Sequence, residues 1–565
     1  MRAAVVLLLA PFVSYVVGDL FTSVADMQNL LDSEKAIPAV LQKYIEEEES
    51  RLNGLKKLAE RYQQRNEDSI ATGNKDITNP INAFLMIKRK IFDWKEIEQQ
   101  MNTNKAQSFI DRMTNANYGV RYPTQEDLTG AATGILRLQD TYRLDPRDLS
   151  EGRIQQVQGN YTFDSNDCFE IGRSAYNDED YYHTILWMEE ARRQLDREEE
   201  TLEAGYANKE DVLEYLAYSL YKQGNLKHAL KYTDELYAMN PEHPRAKGNV
   251  KWYEDLLQEE GVKKKDMRRS IGNVRNSRPA SVLGNKERTM YEALCRGEIP
   301  VSDKDVSKLY CYYKRDRPFL VYAPIKIEIM RFNPLAVLFK DVITDEEIDL
   351  IQELSAPRLA RATVHDAATG KLVTANYRIS KSAWLKDWEH EVVHRINQRI
   401  DYMTNLDQET AEELQVQNYG IGGHYDPHFD HARKEESKSF ESLGTGNRIA
   451  TVLLYMSQTQ LGGSTVFTDA KSTINVSKND ALFWYNLYRQ GDGNPMTRHA
   501  GCPVLVGIKW VANKWIHERQ NEFRRPCGLK PSDNERFVGD LGVYGEPRTT
   551  PNLSPVLSKD IWDTI

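Results

Sequence analysis

The string His428-Phe429-Asp430, with His499 and Lys509 downstream, contains residue types able to hold ferrous iron through two imidazoles and one carboxylate on one face. Iron held in that way keeps its other coordination positions open. A strand over residues 425 to 431 would put His428 and Asp430 on the same side, and His499 must then arrive from elsewhere in the fold. A small barrel supplies that closure, and strand candidates lie between: Ile449 to Met456, Ser464 to Phe467 and Ala481 to Asn486. In the run from Pro503 to Val511, Lys509 shares a face with Leu505, Gly507 and Val511, so a cation projects from an apolar strand and requires an anionic partner. His424-Tyr425-Asp426 repeats the His-x-Asp spacing, and spacing alone does not choose between the two. His431 reads as a polar residue at the end of the strand.

Asn418-Tyr419-Gly420, Pro427-His428-Phe429-Asp430, the run Gly444 to Ala450, Arg498-His499-Ala500 and the run Asn513 to Arg519 resemble the catalytic domain of collagen prolyl 4-hydroxylase alpha subunits. The resemblance implies a 2-oxoglutarate dioxygenase on a double-stranded β-helix (jelly roll), with His428, Asp430 and His499 as iron ligands. It thereby favours 428/430 over 424/426. It also implies that Lys509 anchors the distal carboxylate of 2-oxoglutarate, with Tyr419, Thr465 and His517 beside that cosubstrate. Arg448 resembles a substrate-facing arginine, and Tyr425 stands with it as a candidate catalytic residue. Each has a plain alternative: Tyr419 and Thr465 as strand filling, His517 as a satisfied structural histidine, Arg448 as a salt bridge at a strand start. The implied reaction consumes dioxygen and 2-oxoglutarate, releases succinate and carbon dioxide, and hydroxylates proline at carbon 4. Ascorbate is expected to rescue oxidised iron. Lysine rather than arginine at 509 favours the prolyl branch of the superfamily, because the two cations differ in geometry.

The chain has 565 residues and a net charge of -10, which predicts about three domains and argues against a nucleic-acid partner. The basic stretch Lys263 to Lys265 with Arg268 and Arg269 reads as a solvated linker. Met1-Arg2, the apolar run Ala3 to Val17 and Gly18 read as a secretory signal peptide cut near Asp19, too short for a membrane span. The expected compartment is the lumen of the endoplasmic reticulum. Five cysteines fit it, and sequence leaves their connectivity open. The family resemblance favours Cys295 with Cys311 and Cys502 with Cys527, leaving Cys168 free; otherwise those four could be thiols. Sequons stand at Asn160, Asn475 and Asn552. The C-terminus carries no retention tetrapeptide, so retention would need a partner. The resemblance supplies protein disulfide isomerase, as the beta subunit of an alpha2-beta2 tetramer.

From Asp19 to Asp145 the pattern is helical. Leu41, Ile45, Leu52, Leu55, Ala59 and Tyr62 recur near heptad spacing, interrupted by Glu48, and Phe84, Ile87, Ile91 and Trp94 repeat the pattern. Such a stripe fits an ordinary core; the resemblance favours dimerisation of alpha subunits. Residues 146–257 look tetratricopeptide-like: Leu220 to Gly224, Ala229 and Asn240-Pro241 follow that repeat, and Gly172 to Tyr176 suggests an earlier copy. Tyr215, Tyr218 and Tyr221 sweep part of one helix surface, and Tyr182 and Trp252 add rings. Polyproline docks on such aromatic surfaces because it is already extended; the alternative is that the rings are core. The region resembles the family's peptide-substrate-binding domain, which implies that Arg245 and Asn249 hydrogen-bond the peptide backbone. Trp252 stands where a tyrosine is expected, and Glu214 where an aspartate is expected.

The expected architecture is thus multidomain α plus β. It comprises a signal peptide at 1–18, a helical dimerisation region at 19–145, a peptide-binding domain at 146–257, a linker with a disulfide at 258–330, a dioxygenase domain at 331–529, and a polar, disordered tail at 530–565. The function expected is hydroxylation of proline in X-Pro-Gly repeats of procollagen. Two rivals stand beside it: a collagen-binding chaperone with a decayed iron site, and a related hydroxylase acting on another substrate.

Overall fold

The computed structural model describes residues 20–73, 79–103, 105–114, 123–198, 207–365, 372–375, 377–436, 440, 443–530, 533, 535–542 and 545–546. The expected signal peptide and Asn552 lie outside them. Residues 25–123 form one compact unit, and residues 1–24 with 124–565 form another.

In the first unit, helix α1 (Val24–Glu34) leads into α2 (Ile37–Thr72), α3 (Pro80–Asn102) and α4 (Ala106–Thr114). Helix α3 starts where the Asn79 side chain accepts from the Ile81 amide and Pro80 presets the first turn. Arg51 donates to the Gln100 carbonyl at 3.0 Å, and Arg65 lies 3.9 Å from Asp93, so α2 and α3 run antiparallel. Phe109 of α4 is buried, its ring edge-on to Tyr44. The expected apolar stripe faces outward: Phe84 is 64% exposed and Ile87 60%, and Leu41, Ile45 and Leu52 are about half exposed. In a single copy it is a surface, not a core.

In the second unit, α5 (Gln125–Tyr142) precedes the helix pairs α6 (Ser165–Asn177) with α7 (Tyr181–Glu198) and α8 (Lys209–Lys222) with α9 (Leu226–Met239), then α10 (Ala246–Glu259). Trp187, Met188, Leu213, Leu216, Leu220 and Tyr253 fill their core, and Cys168 is buried there as a free thiol. Ala132 and Leu136 of α5 belong to the same core, so the helical layer of this unit begins near Thr124.

The β region holds β1 (Cys311–Lys314), β2 (Ile325–Phe332), β3 (Leu335–Lys340), β4 (Lys381–Leu385), β5 (Leu414–Tyr419), β6 (His424–His428), β7 (Arg448–Tyr455), β8 (Thr465–Phe467), β9 (Ala481–Tyr485), β10 (His499–Gly501) and β11 (Lys509–His517). One sheet runs β1-β2-β3-β9-β7-β11-β5-β4 and ends on Ala360–Arg361. The other runs Ser472–Ile474, β8, β10, β6, Arg378–Ile379. Tyr419, Leu453, Leu482, Trp484 and Val511 of the first sheet pack with Phe467 and Ile474 of the second. Each sheet buries one apolar face against the other, giving the expected double-stranded β-helix.

Several expectations need correction. The stretch 258–330 is not simply a linker: β1 and β2 are strands of the large sheet, and α11 (Lys286–Cys295) packs on the small one through Tyr291, Leu294, Val466 and Ala500. That packing brings Cys295 to Cys502, and these two form the disulfide. Cys311, on edge strand β1, and Cys527 are exposed free thiols. The tail beyond 530 is not uniformly loose, since Phe537, Val538 and Asp540 are buried. There Asp540 and the Val538 carbonyl accept from Lys314, at 2.6 and 2.7 Å. The fully buried ammonium of Lys314 explains the docking, because it requires paired acceptors. At the other end, residues 21–23 pair with the loop after β5: Gly420 donates to Thr22 and Ile421 to Phe21.

Candidate active site

Strand β6 pairs antiparallel with β10 and places His428 directly opposite His499. Pro427 has no amide to give the ladder, and the pairing shifts register between Tyr425 and His428. Asp430 lies just beyond the strand rather than within it. It still closes the triad. His428 Nε2 is 3.7 Å from one Asp430 oxygen and His499 Nε2 is 3.6 Å from the other. The ligand atoms of the three residues lie within 4.8 Å of one another.

Backbone carbonyls aim both rings. His428 Nδ1 donates to Asp426 O at 2.8 Å and His499 Nδ1 to Thr497 O at 2.9 Å, which leaves both Nε2 lone pairs for a metal. Burial pushes His499 down to about 4, so the ring stays neutral. Burial opposes the charge on Asp430, but His499 and His428 outweigh it and hold the carboxyl well below its usual range. Thr451 donates to Asp430 at 2.7 Å, Asn486 donates to Thr451, and Trp484 donates to Asn486. Two imidazoles with Nε2 turned inward and one carboxylate held in its ionised form, each oriented from behind, suit ferrous iron.

His428 and Asp430 line a cavity of about 420 Å³ together with Tyr377, Arg378, Tyr425, Arg448 and Trp515. Tyr425 stacks on His428 at 3.5 Å between centroids. Arg448 lies over Trp515, donates to the Asp430 carbonyl at 3.3 Å and forms a two-point ion pair with Glu412. Glu412 also meets His517 at 3.0 Å, and although burial raises its pKa, Arg448 and His517 bring it down to about 2. Arg448 is therefore both cavity wall and salt-bridge partner. His517 sits at the opposite end of β11 from Lys509, bonded to Glu412, Thr445 and Gly446. At about 3.3 Å per residue, that length of strand separates His517 from Lys509.

Lys509 is 4% exposed and donates to the Gly463 carbonyl at 2.7 Å, with its ammonium 5.0 Å from the Tyr419 ring centroid. Among the described residues no carboxylate pairs with it, and burial depresses its pKa to about 8. A buried cation with only neutral partners suits an incoming carboxylate. The strand expected through 503–511 breaks at Gly507, whose φ of +105° favours glycine, so Lys509 opens a new strand. Thr465 lies on β8 of the smaller sheet, its hydroxyl bonded to Tyr455 at 2.6 Å. Tyr419 donates to Gln417. His424 does not join the triad: it is buried against Asp426, which faces Arg288. His431 packs beside Phe429 at the cavity wall.

In the helical layer, half-buried rings form a continuous row. Tyr215 meets Tyr176, which meets Tyr181 and Tyr218; Tyr218 leads to Tyr221, and Tyr221 to Trp252 at 4.7 Å. Tyr181, not the expected Tyr182, belongs to this row. One helical position turns a side chain by about 100°, and Tyr182 packs on His183 instead. Arg245 is exposed and paired with Glu214, and Asn249 is half-buried nearby on α10.

Tyr176, Tyr181, Thr451, Glu412 and Asn486 were missed in the sequence. Thr451 shows why: a register shift between Arg448 and Ala450 breaks the period of two, so residues three apart both reach Asp430. Asn160 and Asn475 are exposed.

The fold and site together define an iron- and 2-oxoglutarate-dependent oxygenase, and residues 414–517 match the 2OG-Fe(II) oxygenase superfamily. Residues 23–156 match the prolyl 4-hydroxylase alpha-subunit N-terminal region, and 165–259 match the prolyl 4-hydroxylase peptide-substrate-binding domain. The chain is 71% identical to prolyl 4-hydroxylase subunit alpha-1 of Caenorhabditis elegans, covering 99% of both chains. It is 44% identical to prolyl 4-hydroxylase subunit alpha-1 of Homo sapiens, covering 90% of this chain and 95% of that one. A viral collagen prolyl hydroxylase from Paramecium Bursaria Chlorella virus-1 aligns at 24% identity and a TM-score of 0.26, over 32% of this chain and 94% of that one. The chain belongs to the prolyl 4-hydroxylase alpha-subunit family. It is a dioxygenase using Fe(II), 2-oxoglutarate and dioxygen, and ascorbate is typical of prolyl hydroxylases.

Proposed function

We propose that this chain is the catalytic alpha subunit that hydroxylates proline at carbon 4 in X-Pro-Gly repeats of procollagen. The observation that carries this reading is the convergence of His428, Asp430 and His499 on one another, with His428 and Asp430 lining a cavity walled by Tyr425, Arg448 and Trp515. His428 Nε2, His499 Nε2 and an Asp430 oxygen would hold the iron. Bound iron with 2-oxoglutarate supplies activation of dioxygen, oxidative decarboxylation to succinate and carbon dioxide, and hydroxylation of the proline ring. Lys509 neutralises the distal carboxylate of 2-oxoglutarate, with Thr465 and Tyr419 beside it. Tyr425 and Trp515 flank the substrate residue and exclude water, while Glu412 fixes the guanidinium of Arg448. The row from Tyr176 to Trp252 takes the extended chain, with Arg245 and Asn249 toward its backbone.

The exposed stripe of α2 and α3 supports self-association, and the family supports protein disulfide isomerase as the partner in an alpha2-beta2 tetramer. No helix among the described residues is long and apolar enough to cross a membrane. The endoplasmic reticulum lumen, reached by the signal peptide and kept through the partner, is the proposed site of action. Asn160, Asn475 and Asn552 are proposed glycosylation sites. The test is 4-hydroxyproline and succinate formation from a (Pro-Pro-Gly) repeat peptide by the chain coexpressed with protein disulfide isomerase. Equal yields that depend on iron support the reading. Peptide binding without hydroxyproline would replace it with the chaperone.

A further inference from the structure

Helix α11 lies within the stretch expected to be a linker, yet it contacts both strands that carry iron ligands. Glu287 pairs with Arg498, beside His499, at 2.5 Å. Tyr291 donates to the Gly501 carbonyl at 3.4 Å, and Cys295 is bonded to Cys502. On the other strand, Arg288 lies 3.5 Å from the carboxylate of Asp426, whose backbone carbonyl orients the His428 ring.

The same helix reaches back to the peptide-binding layer. Glu292 is buried and accepts from Arg288 at 2.8 Å and from both terminal nitrogens of Arg278, at 2.8 and 2.9 Å. Arg278 also pairs with Asp140 of α5 at 3.0 Å. Asp140 lies 3.2 Å from His183 Nε2, and His183 Nδ1 lies 2.6 Å from Asp180. Asp180 directly precedes Tyr181, a ring of the aromatic row. An unbroken series of ion pairs thus runs from the row to the residue that aims an iron ligand. Its two junctions, His183 and Glu292, are buried, and there each charge depends on its neighbours for solvation.

Resting on the function proposed above, we propose that this series couples occupancy of the aromatic groove to placement of the iron ligands, with Arg278, Glu292 and Arg288 as positioning residues. Rings that shift around a bound peptide move Tyr181 and Asp180. The displacement passes through His183, Asp140 and Arg278 to α11, and α11 sets Asp426 and His428. A peptide long enough to fill groove and cavity together is then turned over faster than one filling the cavity alone.

The test uses the full chain coexpressed with protein disulfide isomerase, comparing a single Pro-Pro-Gly unit with a ten-repeat peptide. The parent should show a higher kcat on the long peptide. Arg278→Met should keep short-peptide kcat and polyproline binding and lose most of the long-peptide gain, up to about tenfold, as outer-sphere changes do. Arg278→Lys should restore part of it. An unchanged long-to-short ratio in Arg278→Met, an equal loss on both peptides, or a parent without any gain would each overturn the coupling. A parent that makes no hydroxyproline from either peptide would instead overturn the assigned reaction.

Discussion

Lys509 Nζ and the Gly463 carbonyl lie 2.7 Å apart, and that neutral oxygen is the hydrogen-bond acceptor the buried ammonium has found within the fold. A charge held under such terms is poised to exchange a carbonyl for a carboxylate. Lys509→Ala should weaken 2-oxoglutarate binding by about tenfold to a hundredfold, the worth of one charge-assisted hydrogen bond. Titration of the cosubstrate under anaerobic conditions checks this, and unchanged affinity would place the anchor elsewhere.

The same residue predicts a pH dependence. Burial lowers Lys509 to about 8, and the protonated form is the one that attracts the carboxylate. Affinity for 2-oxoglutarate should therefore be level below that pH and fall as pH rises through it, by about tenfold per unit well above. In Lys509→Arg the decline should vanish, although binding at neutral pH weakens because the fork is larger.

What the sequence revealed of this site follows its physics. His428, His499 and Lys509 were legible because ligand and anchor residues are rare types at specific strand positions. Thr451 was hidden by a register shift, and the single strand that separates His517 from Lys509 was not legible in the sequence. The linker was misread because α11 is short and carries weak periodicity, and because the alternation of Ile325, Ile327 and Ile329 in β2 was passed over. The partners of α11 are distant in the chain, and the Cys295–Cys502 bond depends on that packing. Tyr181 was passed over because adjacent tyrosines offer no sequence signal of helix phase.

His183 provides a stability test. Burial lowers its pKa, but Asp140 and Asp180 more than compensate, raising it to about 9 from an ordinary histidine value. A raised folded pKa stabilises the fold fully below the unfolded value of about 6.5, and the contribution is lost as pH rises through about 9. It is worth at most about 3 kcal/mol. Denaturation of His183→Gln and the parent should differ most near pH 6 and converge above pH 9; a constant difference would contradict the charged pairing.

Groove membership separates neighbours on α7. Tyr181→Ala should raise the KM for a long (Pro-Pro-Gly) peptide several-fold, since a ring contact is worth about 1 kcal/mol beyond its buried area. Tyr182→Ala should leave that KM within about twofold. Reversal of the two effects would restore Tyr182 to the groove and remove Tyr181.

The most direct measurement compares His428→Ala with His424→Ala in the assembled enzyme, reading bound Fe(II) and 4-hydroxyproline formation together. His428→Ala should lose both and retain polyproline binding, while His424→Ala should retain iron and turnover. Iron and hydroxyproline surviving in His428→Ala but lost in His424→Ala would show that the metal sits on the other His-x-Asp pair.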